Sequence, residues 1–269
     1  MEPVPPGIDP TKAHPSRRYN YWLGGKDNFS VDRESADTVA SGFPTVALAA
    51  RENRKFMARA VRYLARDAGI TQFLDIGTGL PSAGNVHEVA QSIDPAARIV
   101  YVDNDPVVLV HARALLTSSP EGRTAYIDAD LREPGRILAA PELAETLDLT
   151  RPVALMLVAI MHFVSDDEDP YGIVARLVDA LPSGSHVVIT HATGDHLTPE
   201  QYEEAVETNR RSGVPFSLRT RDEFARFFDG LDLVDPGVTS VVEWRPDLPP
   251  EHRPRVEDVS MYCAAARIP

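Results

Sequence analysis

A short apolar segment that ends in two glycines constrains this chain more than any other stretch. Residues 72–76 are mostly apolar and predict a strand buried on both faces, and Gly77 and Gly79 follow it. Glycine permits a sharp turn and lets a ligand approach the backbone closely. Residues 85–92 then favour a helix. The order of strand, glycine turn and helix predicts the opening unit of a nucleotide-binding α/β domain.

A second predicted strand strengthens this interpretation because it ends in an acidic residue. Residues 98–103 form the strand, and Asp103 lies where such folds bind ribose hydroxyls. The dinucleotide fingerprint of dehydrogenases has a third glycine, whereas this chain has Ser82 there, and Asp75 precedes the first glycine by two residues. A nicotinamide site and a turn without any ligand remain as alternatives.

The length and composition predict one α/β domain over residues 1–269. The chain has 269 residues, of which 43% are apolar, and this supports a large core. We expect an arm and lid helices over 1–70 and a Rossmann-like core over 71–269. The formal net charge of −13 disfavours nucleic acid and polyanionic substrates. The single cysteine, Cys263, excludes an internal disulfide and predicts a buried packing residue.

No secretory signal and no apolar run of membrane-spanning length is found, so we expect a cytoplasmic protein that binds no membrane, as a monomer or homodimer. The acidic run at 166–169 favours a solvated helix cap, so no metal is expected.

The spacing of apolar segments predicts an alternating α/β order with right-handed crossovers. The predicted core strands are residues 72–76, 98–103, 123–128, 153–158 and 186–190, followed by one β segment within 231–244 and another at 259–267. The predicted helices are residues 45–68, 85–92, 170–181, 198–211 and 224–228, and one more that starts near Arg33 with Asp32 as its cap. Residues 1–16 are proline-rich and predict an irregular arm.

Three segments together resemble a known family. Residues 19–29 (YNYWLGGKDNF), 51–54 (RENR) and 73–81 (FLDIGTGLP) are similar to an actinobacterial family of class I S-adenosylmethionine-dependent methyltransferases, long catalogued as a domain of unknown function. The resemblance implies a mostly parallel seven-stranded sheet with helices on both faces, and we expect the N-terminal helices to form a lid. It implies S-adenosylmethionine as the cofactor and methyl transfer as the reaction. It implies no particular acceptor.

The cofactor offers several groups to the protein. Asp103 can accept hydrogen bonds from both ribose hydroxyls. The resemblance implies that Asp130 and the backbone of Leu131 hold the adenine, although Asp128 is an alternative. The residues expected to bind the cofactor are Asp75, Gly77, Gly79, Asp103, Asn104, Asp130, Leu131 and Ala159.

The segment at 17–29 is dense in aromatics, which favours either a lid over the cofactor or a segment pinned to the body by its rings. Lys26 or Arg54 can pair with the cofactor carboxylate, and aromatic faces, including that of Phe163, tolerate a sulfonium. The residues expected at the substrate or lid are Tyr19, Tyr21, Lys26, Asn28 and Arg54. Asn53 and Arg54 lie mid-helix, where a solvated face is the alternative.

His162 and His191 follow the fourth and fifth predicted strands, at the edge where ligands bind in open α/β sheets. Histidine is the natural base for an oxygen acceptor, so both are candidates for the catalytic base, and packing at a strand end is the alternative. N-methyltransferases that act on nucleobases or amides carry Asn/Asp-Pro-Pro-Tyr/Phe after the fourth strand. Here residues 159–163 (AIMHF) occupy that position, which argues against methylation of nucleic acid.

We therefore expect a methyltransferase that acts on a small molecule, in secondary metabolism, and on no nucleic acid. A non-catalytic protein that senses the cofactor is one alternative, and a nicotinamide-dependent oxidoreductase is another.

Overall fold

The computed structural model describes residues 8–115 and 118–269, and a mixed sheet forms its centre. The strands are β1 Gln72–Ile76, β2 Arg98–Asp103, β3 Arg123–Asp128, β4 Ala154–Leu157, β5 His186–Ala192, β6 Asp232–Leu233, β7 Thr239–Ser240 and β8 Met261–Arg267. Their order is β3-β2-β1-β4-β5-β8-β6, and β7 also pairs with β8. Strands β1 to β5 are parallel, whereas β8 is antiparallel to β5. The mostly parallel α/β sheet is therefore confirmed.

Helices cover both faces of this sheet. They are α1 Pro15–Trp22, α2 Ser30–Gly42, α3 Val46–Arg66, α4 Val86–Gln91, α5 Pro106–Leu115, α6 Pro134–Leu138, α7 Pro141–Thr146, α8 Pro170–Asp179, α9 Pro199–Arg211 and α10 Arg221–Ala225. Short 3-10 turns lie at Met161–Phe163, Asp166–Glu168, Arg226–Phe228 and Pro250–His252. Within the described ranges, no helix combines the length and the apolarity that crossing a bilayer requires.

Strand alternation divides the core into two apolar clusters, one on each face. Leu74 and Ile76 belong to the cluster that includes α8 residues such as Ile173. Phe73 belongs to the opposite cluster, together with Phe56 of α3. Asp75 shares the parity of Phe73, and its side chain therefore lies on the α3 face at the end of β1.

Several expected elements are found, and others differ. Capping boxes at Thr198 and Thr220 open α9 and α10, and Cys263 is buried as expected. The β segment expected within 231–244 forms two short strands, because the chain turns between them, where Gly237 N donates to Val234 O.

The N-terminal region departs most from expectation. The arm predicted over 1–16 lies partly outside the described residues, and its end already belongs to α1, which begins at Pro15 with His14 as N-cap. Asp32 is not the N-cap residue of a helix that starts near Arg33, because α2 already begins at Ser30. It occupies the third position of α2, and its carboxylate accepts hydrogen bonds from Phe29 N and His14 N.

A network of charges fastens α1 to the end of β2. Asp105 accepts a hydrogen bond from Ser16 Oγ at 3.0 Å, and Arg17 Nε lies 3.3 Å from its carboxylate. Arg17 Nε also lies 3.6 Å from the buried carboxylate of Asp32, which belongs to α2. The N-terminal helices are thereby held over the carboxyl edge of the sheet.

Arg219 fixes the 3-10 turn that follows β4. Its guanidinium is buried and donates to the carbonyl oxygens of Met161 and Val164, at 3.3 and 3.0 Å. It also donates to His191 Nε2 and to Asp166 Oδ1, both at 2.6 Å. One side chain therefore connects this turn to β5.

We expect Arg219→Met to lower the free energy of unfolding by at least about 3 kcal/mol, because buried acceptors would lose their donor at about 1–3 kcal/mol each. Arg176→Met is the matched control, since Arg176 is an exposed arginine paired with Asp169 and should cost less than about 1 kcal/mol. Urea denaturation of both variants measures the difference, and equal losses would contradict this role.

Candidate functional site

A cavity of about 370 Å³ opens at the carboxyl ends of the parallel strands, where the strand order reverses between β1 and β4. Ligands of open α/β sheets bind at this type of position. The expected site residues that line it are Tyr19, Arg54, Asp75, Gly77, Gly79, Asp103, Asn104, Asp130, Leu131, Ala159 and His162. A smaller cavity adjoins it between α1 and the glycine turn and shares Tyr19, Arg54 and Gly79.

Three residues expected at the substrate or lid do not line either cavity. The Tyr21 hydroxyl donates to Asp37 on the exterior. Asn28 supports the loop, because its amide donates to Asn20 Oδ1 and Gly25 O. Lys26 is exposed. These residues shape or flank the loop after α1 and do not face the larger cavity.

His191 does not line the cavity either, because β5 extends to Ala192 and alternation turns His191 to the α8 and α10 face. Both ring nitrogens are engaged: Nδ1 donates to Ala192 O at 2.7 Å, and Nε2 accepts from Arg219. Burial and the nearby Arg219 guanidinium lower the pKa of His191 to about 3. This histidine packs a strand end and is not available as a base.

The glycine turn is open to the cavity. Gly77 and Gly79 have φ angles of 77° and 68°, which side chains rarely adopt. A Cβ on Gly77 would lie 2.7 Å from the Ile160 side chain, whereas a Cβ on Gly79 would meet nothing within 4 Å. The space above Gly79 lets a ligand lie directly on the backbone.

Asp103 presents a fixed carboxylate beside this turn. Its two oxygens accept hydrogen bonds from Gly79 N at 2.8 Å and from Asp105 N at 2.9 Å. Each oxygen retains a lone pair, so the carboxylate can still accept from two hydroxyls. Burial raises the pKa of Asp103, while these two N–H groups oppose that effect. The geometry fits a ribose diol.

The end of β3 distinguishes the two acidic residues proposed for the adenine. Asp130 lines the cavity and accepts hydrogen bonds from Asn104 Nδ2 and from Arg132 N, both at 2.8 Å. Leu131 is buried next to it. Asp128 is exposed and lies outside the cavity lining. Asp130 is therefore the better placed of the two.

Asp75 is a buried carboxyl group that faces the cavity. It is 7% exposed, and its carboxyl oxygens accept no hydrogen bond from any residue within the described ranges. Burial raises the pKa of Asp75 to about 7, although the Arg54 guanidinium opposes the shift. A ligand cation placed here would favour the ionised carboxylate.

The segment after β4 carries backbone strain and the second histidine. Ala159 has a φ of 57°, and its N–H donates to Thr190 Oγ1 at 2.8 Å. His162 lines the cavity at 5% exposure, with Phe163 and Phe216 around its ring. Burial, followed by the charges nearby, holds the pKa of His162 well below its usual value, so the ring is neutral near pH 7.

Sequence reasoning missed several residues of the cavity wall. Asn53 is not solvated: it is buried and donates to the Tyr19 hydroxyl, which in turn donates to Ala50 O. Arg18 lines the cavity from α1. Pro15 and the paired arginines Arg17 and Arg18 were the only signals for a helix here, because apolar residues do not recur at helical spacing in this segment.

Comparison with known proteins identifies the family. A family described as S-adenosyl methyltransferase matches residues 1–269. The chain belongs to this S-adenosyl methyltransferase family. No protein of curated function matches it.

Two solved structures resemble this methyltransferase closely. A DUF574 family protein from Streptomyces avermitilis is 49% identical with a TM-score of 0.91, and the match covers 96% of this chain and 98% of that one. A proposed methyltransferase from Thermobifida fusca is 41% identical with a TM-score of 0.90, and the match covers 100% and 99%. The expected family, fold and S-adenosylmethionine cofactor are thus confirmed, and the oxidoreductase alternative is not supported.

Among the described residues of the methyltransferase, no group of three or more histidine, cysteine or acidic side chains is placed to hold a metal. The acidic run forms the 3-10 turn Asp166–Glu168, which Ser165 and Glu168 cap. Asp166 pairs with Arg219.

We expect the free energy of unfolding of the ligand-free native protein to decrease as the pH rises from 4 to 7, when it is compared with that of Asp75→Asn at each pH. The folded protein retains the Asp75 proton up to a pKa of about 7, whereas the unfolded chain loses it near 3.8, so ionisation costs folding free energy as the pH rises. The difference corresponds to about 4 kcal/mol.

Urea unfolding at pH 4 and at pH 7.5 measures this difference. Asp128→Asn, at the exposed end of β3, controls for the loss of any carboxylate. A gap between the native chain and Asp75→Asn that stays constant with pH would refute the buried protonated carboxyl.

Proposed function

We propose that the larger cavity holds S-adenosylmethionine across the end of β1 and β2 and places its methyl group toward a small-molecule acceptor near His162. The observation that carries this proposal is the Asp103 carboxylate, fixed by two backbone N–H groups beside the open face of Gly79. Adenine lies at Asp130 and Leu131 in this arrangement. Residues 1–70 and 71–269 act as one domain, since both line the cavity.

The cationic end of the cofactor is assigned to the α3 face. Asp75 receives the ammonium, because its carboxyl group is buried without a hydrogen-bond donor among the described residues. Arg54 borders both cavities and pairs with the cofactor carboxylate. The ring of Tyr19 borders both as well, and its hydroxyl is anchored on α3 by Ala50 and Asn53, so its face is available to the sulfonium.

The bound cofactor supplies an activated methyl group for in-line displacement. The protein aligns the acceptor with it and excludes water, and alignment alone can contribute on the order of 7–11 kcal/mol. His162 is the candidate base, because its neutral ring lies in the wall and can take the acceptor proton. Arg219 positions the turn that carries it.

We expect Asp103→Asn to weaken binding of S-adenosylhomocysteine by at least about tenfold, because a charge-assisted hydrogen bond contributes roughly 1.5–3 kcal/mol. Asp130→Asn should also weaken binding, whereas Asp128→Asn should leave it unchanged. Isothermal titration calorimetry on the three variants makes the comparison. A larger loss in Asp128→Asn than in Asp130→Asn would reverse the adenine assignment.

The direct test titrates the native protein with S-adenosylmethionine, S-adenosylhomocysteine and NAD. We expect micromolar binding of the first two and none of NAD. Turnover is then followed by release of S-adenosylhomocysteine in the presence of pooled small-molecule acceptors, with His162→Gln as the variant expected to lose rate at unchanged cofactor affinity. Failure of the native protein to bind either sulfur compound would refute the proposed site.

A further inference from the structure

Arg18 is an almost completely buried cation in the wall of the larger cavity. It is 1% exposed. Its Nη1 donates to Ser212 Oγ at 3.0 Å and approaches Ser35 Oγ at 3.5 Å, while its buried Nε donates to no atom of the described residues. The ion pairs within the described ranges include its neighbour Arg17 but not Arg18.

An unpaired buried guanidinium is unfavourable unless a partner arrives. Burial lowers the pKa of Arg18 to about 10, so the side chain remains charged at neutral pH. The cost of holding such a charge away from water is offset when a ligand anion pairs with it. Attraction to the buried carboxylate of Asp32 and to the ring of Trp22, 5.5 Å from the guanidinium carbon, compensates only part of this cost.

The two halves of the cavity differ in charge. The acidic residues of its lining, Asp75, Asp103 and Asp130, all lie at the ends of β1, β2 and β3 or just beyond. Arg18 contacts instead α2 and the segment after α9, through Ser35 and Ser212. The wall contributed by these elements is mainly apolar, with Val39, Phe43, Ala205, Val214 and Phe216.

Arg18 also lies close enough to His162 for its charge to contribute to the low pKa of that ring. The apolar half of the cavity thus contains one fixed cation beside the candidate base. A ligand anion at Arg18 would cancel this charge and make His162 more basic.

We propose that Arg18 binds the carboxylate of the methyl acceptor, and that the acceptor is a small organic acid with an apolar body. This inference rests on the proposed function, because it assigns the acceptor half of the same cavity. One guanidinium balances one negative charge, which suits a carboxylate better than a phosphate dianion. The hydroxyls of Ser35 and Ser212 hold the guanidinium in place by accepting from its Nη1.

The cofactor carries a carboxylate too, but Arg54 is a second cation of the cavity wall that can pair with it. Arg54 borders the glycine turn through both cavities, whereas Arg18 lines only the larger one. The two arginines therefore serve different anions, and a variant of Arg18 should leave cofactor affinity intact.

The experiment titrates the protein, saturated with S-adenosylhomocysteine, with benzoate, phenylacetate and 3-phenylpropionate, and with the amide of each acid. We expect at least one acid to bind about tenfold more tightly than its amide. Arg18→Met should abolish this preference and change S-adenosylhomocysteine affinity less than about threefold, and Arg18→Lys should retain part of the preference. Arg33→Met, an exposed arginine on α2, is the matched control.

The outcomes separate the two proposals. If S-adenosylhomocysteine binds but no acid is preferred over its amide, or the preference survives in Arg18→Met, the acceptor assignment is overturned and the proposed function stands. A tenfold loss of S-adenosylhomocysteine affinity in Arg18→Met would assign Arg18 to the cofactor, and this result would also overturn the acceptor assignment. Should Arg18→Met not fold, the other two tests still decide. The absence of an acid preference in the native protein, or a preference that Arg18→Lys leaves at its full size, overturns the assignment.

Discussion

The site depends on two hydrogen bonds at the end of β2. The Asp103 carboxylate accepts from Gly79 N and Asp105 N, and this joins the glycine turn after β1 to the start of α5. Asp105 in turn accepts from Ser16 and pairs with Arg17, so the same strand end also holds α1. Two carboxylates at the end of β2, those of Asp103 and Asp105, therefore hold both the glycine turn and the N-terminal helices.

Several unfavourable groups line the cavity. Asp75 is a buried carboxyl group without a donor in the described residues, Arg18 a buried cation without an acidic partner there, and Ala159 a left-handed alanine. By contrast, the buried guanidinium of Arg219 donates to two carbonyl oxygens, a ring nitrogen and a carboxylate. Stability is given up where ligands bind and is maintained in the supporting framework.

The sequence allowed the sheet to be predicted, together with the position of the glycine turn and Asp103 at its carboxyl edge. Continuous apolar runs located β1 to β5, because parallel strands buried on both faces need them. The glycine turn and Asp103 could be located because they lie directly at the ends of β1 and β2. Local signals carry this information, so neighbouring residues suffice to find it.

The predictions were wrong where contacts between distant parts of the chain determine burial and side-chain orientation. Helix α1 has no apolar period, since its buried residues are Arg17, Arg18 and Asn20, and their burial depends on elements far along the chain. His191 was expected just beyond the end of β5, but β5 continues two residues further than predicted. Strand alternation therefore directs its side chain to the face opposite the cavity. Asn53 is buried, and its amide donates to the Tyr19 hydroxyl of α1, which is 34 residues away in the sequence.

The contact between Arg18 and Ser212 spans 194 residues of sequence. The cavity wall around Arg18 therefore forms only after two distant segments of the chain have met, and such long-range closure is slow in folding. A partly folded chain would bind cofactor and acceptor poorly, so saturating ligand selects the complete fold: a ligand at a hundred times its Kd adds about 2.7 kcal/mol to stability. In the cell, the supply of ligand would thus influence how long each folded molecule survives proteolysis.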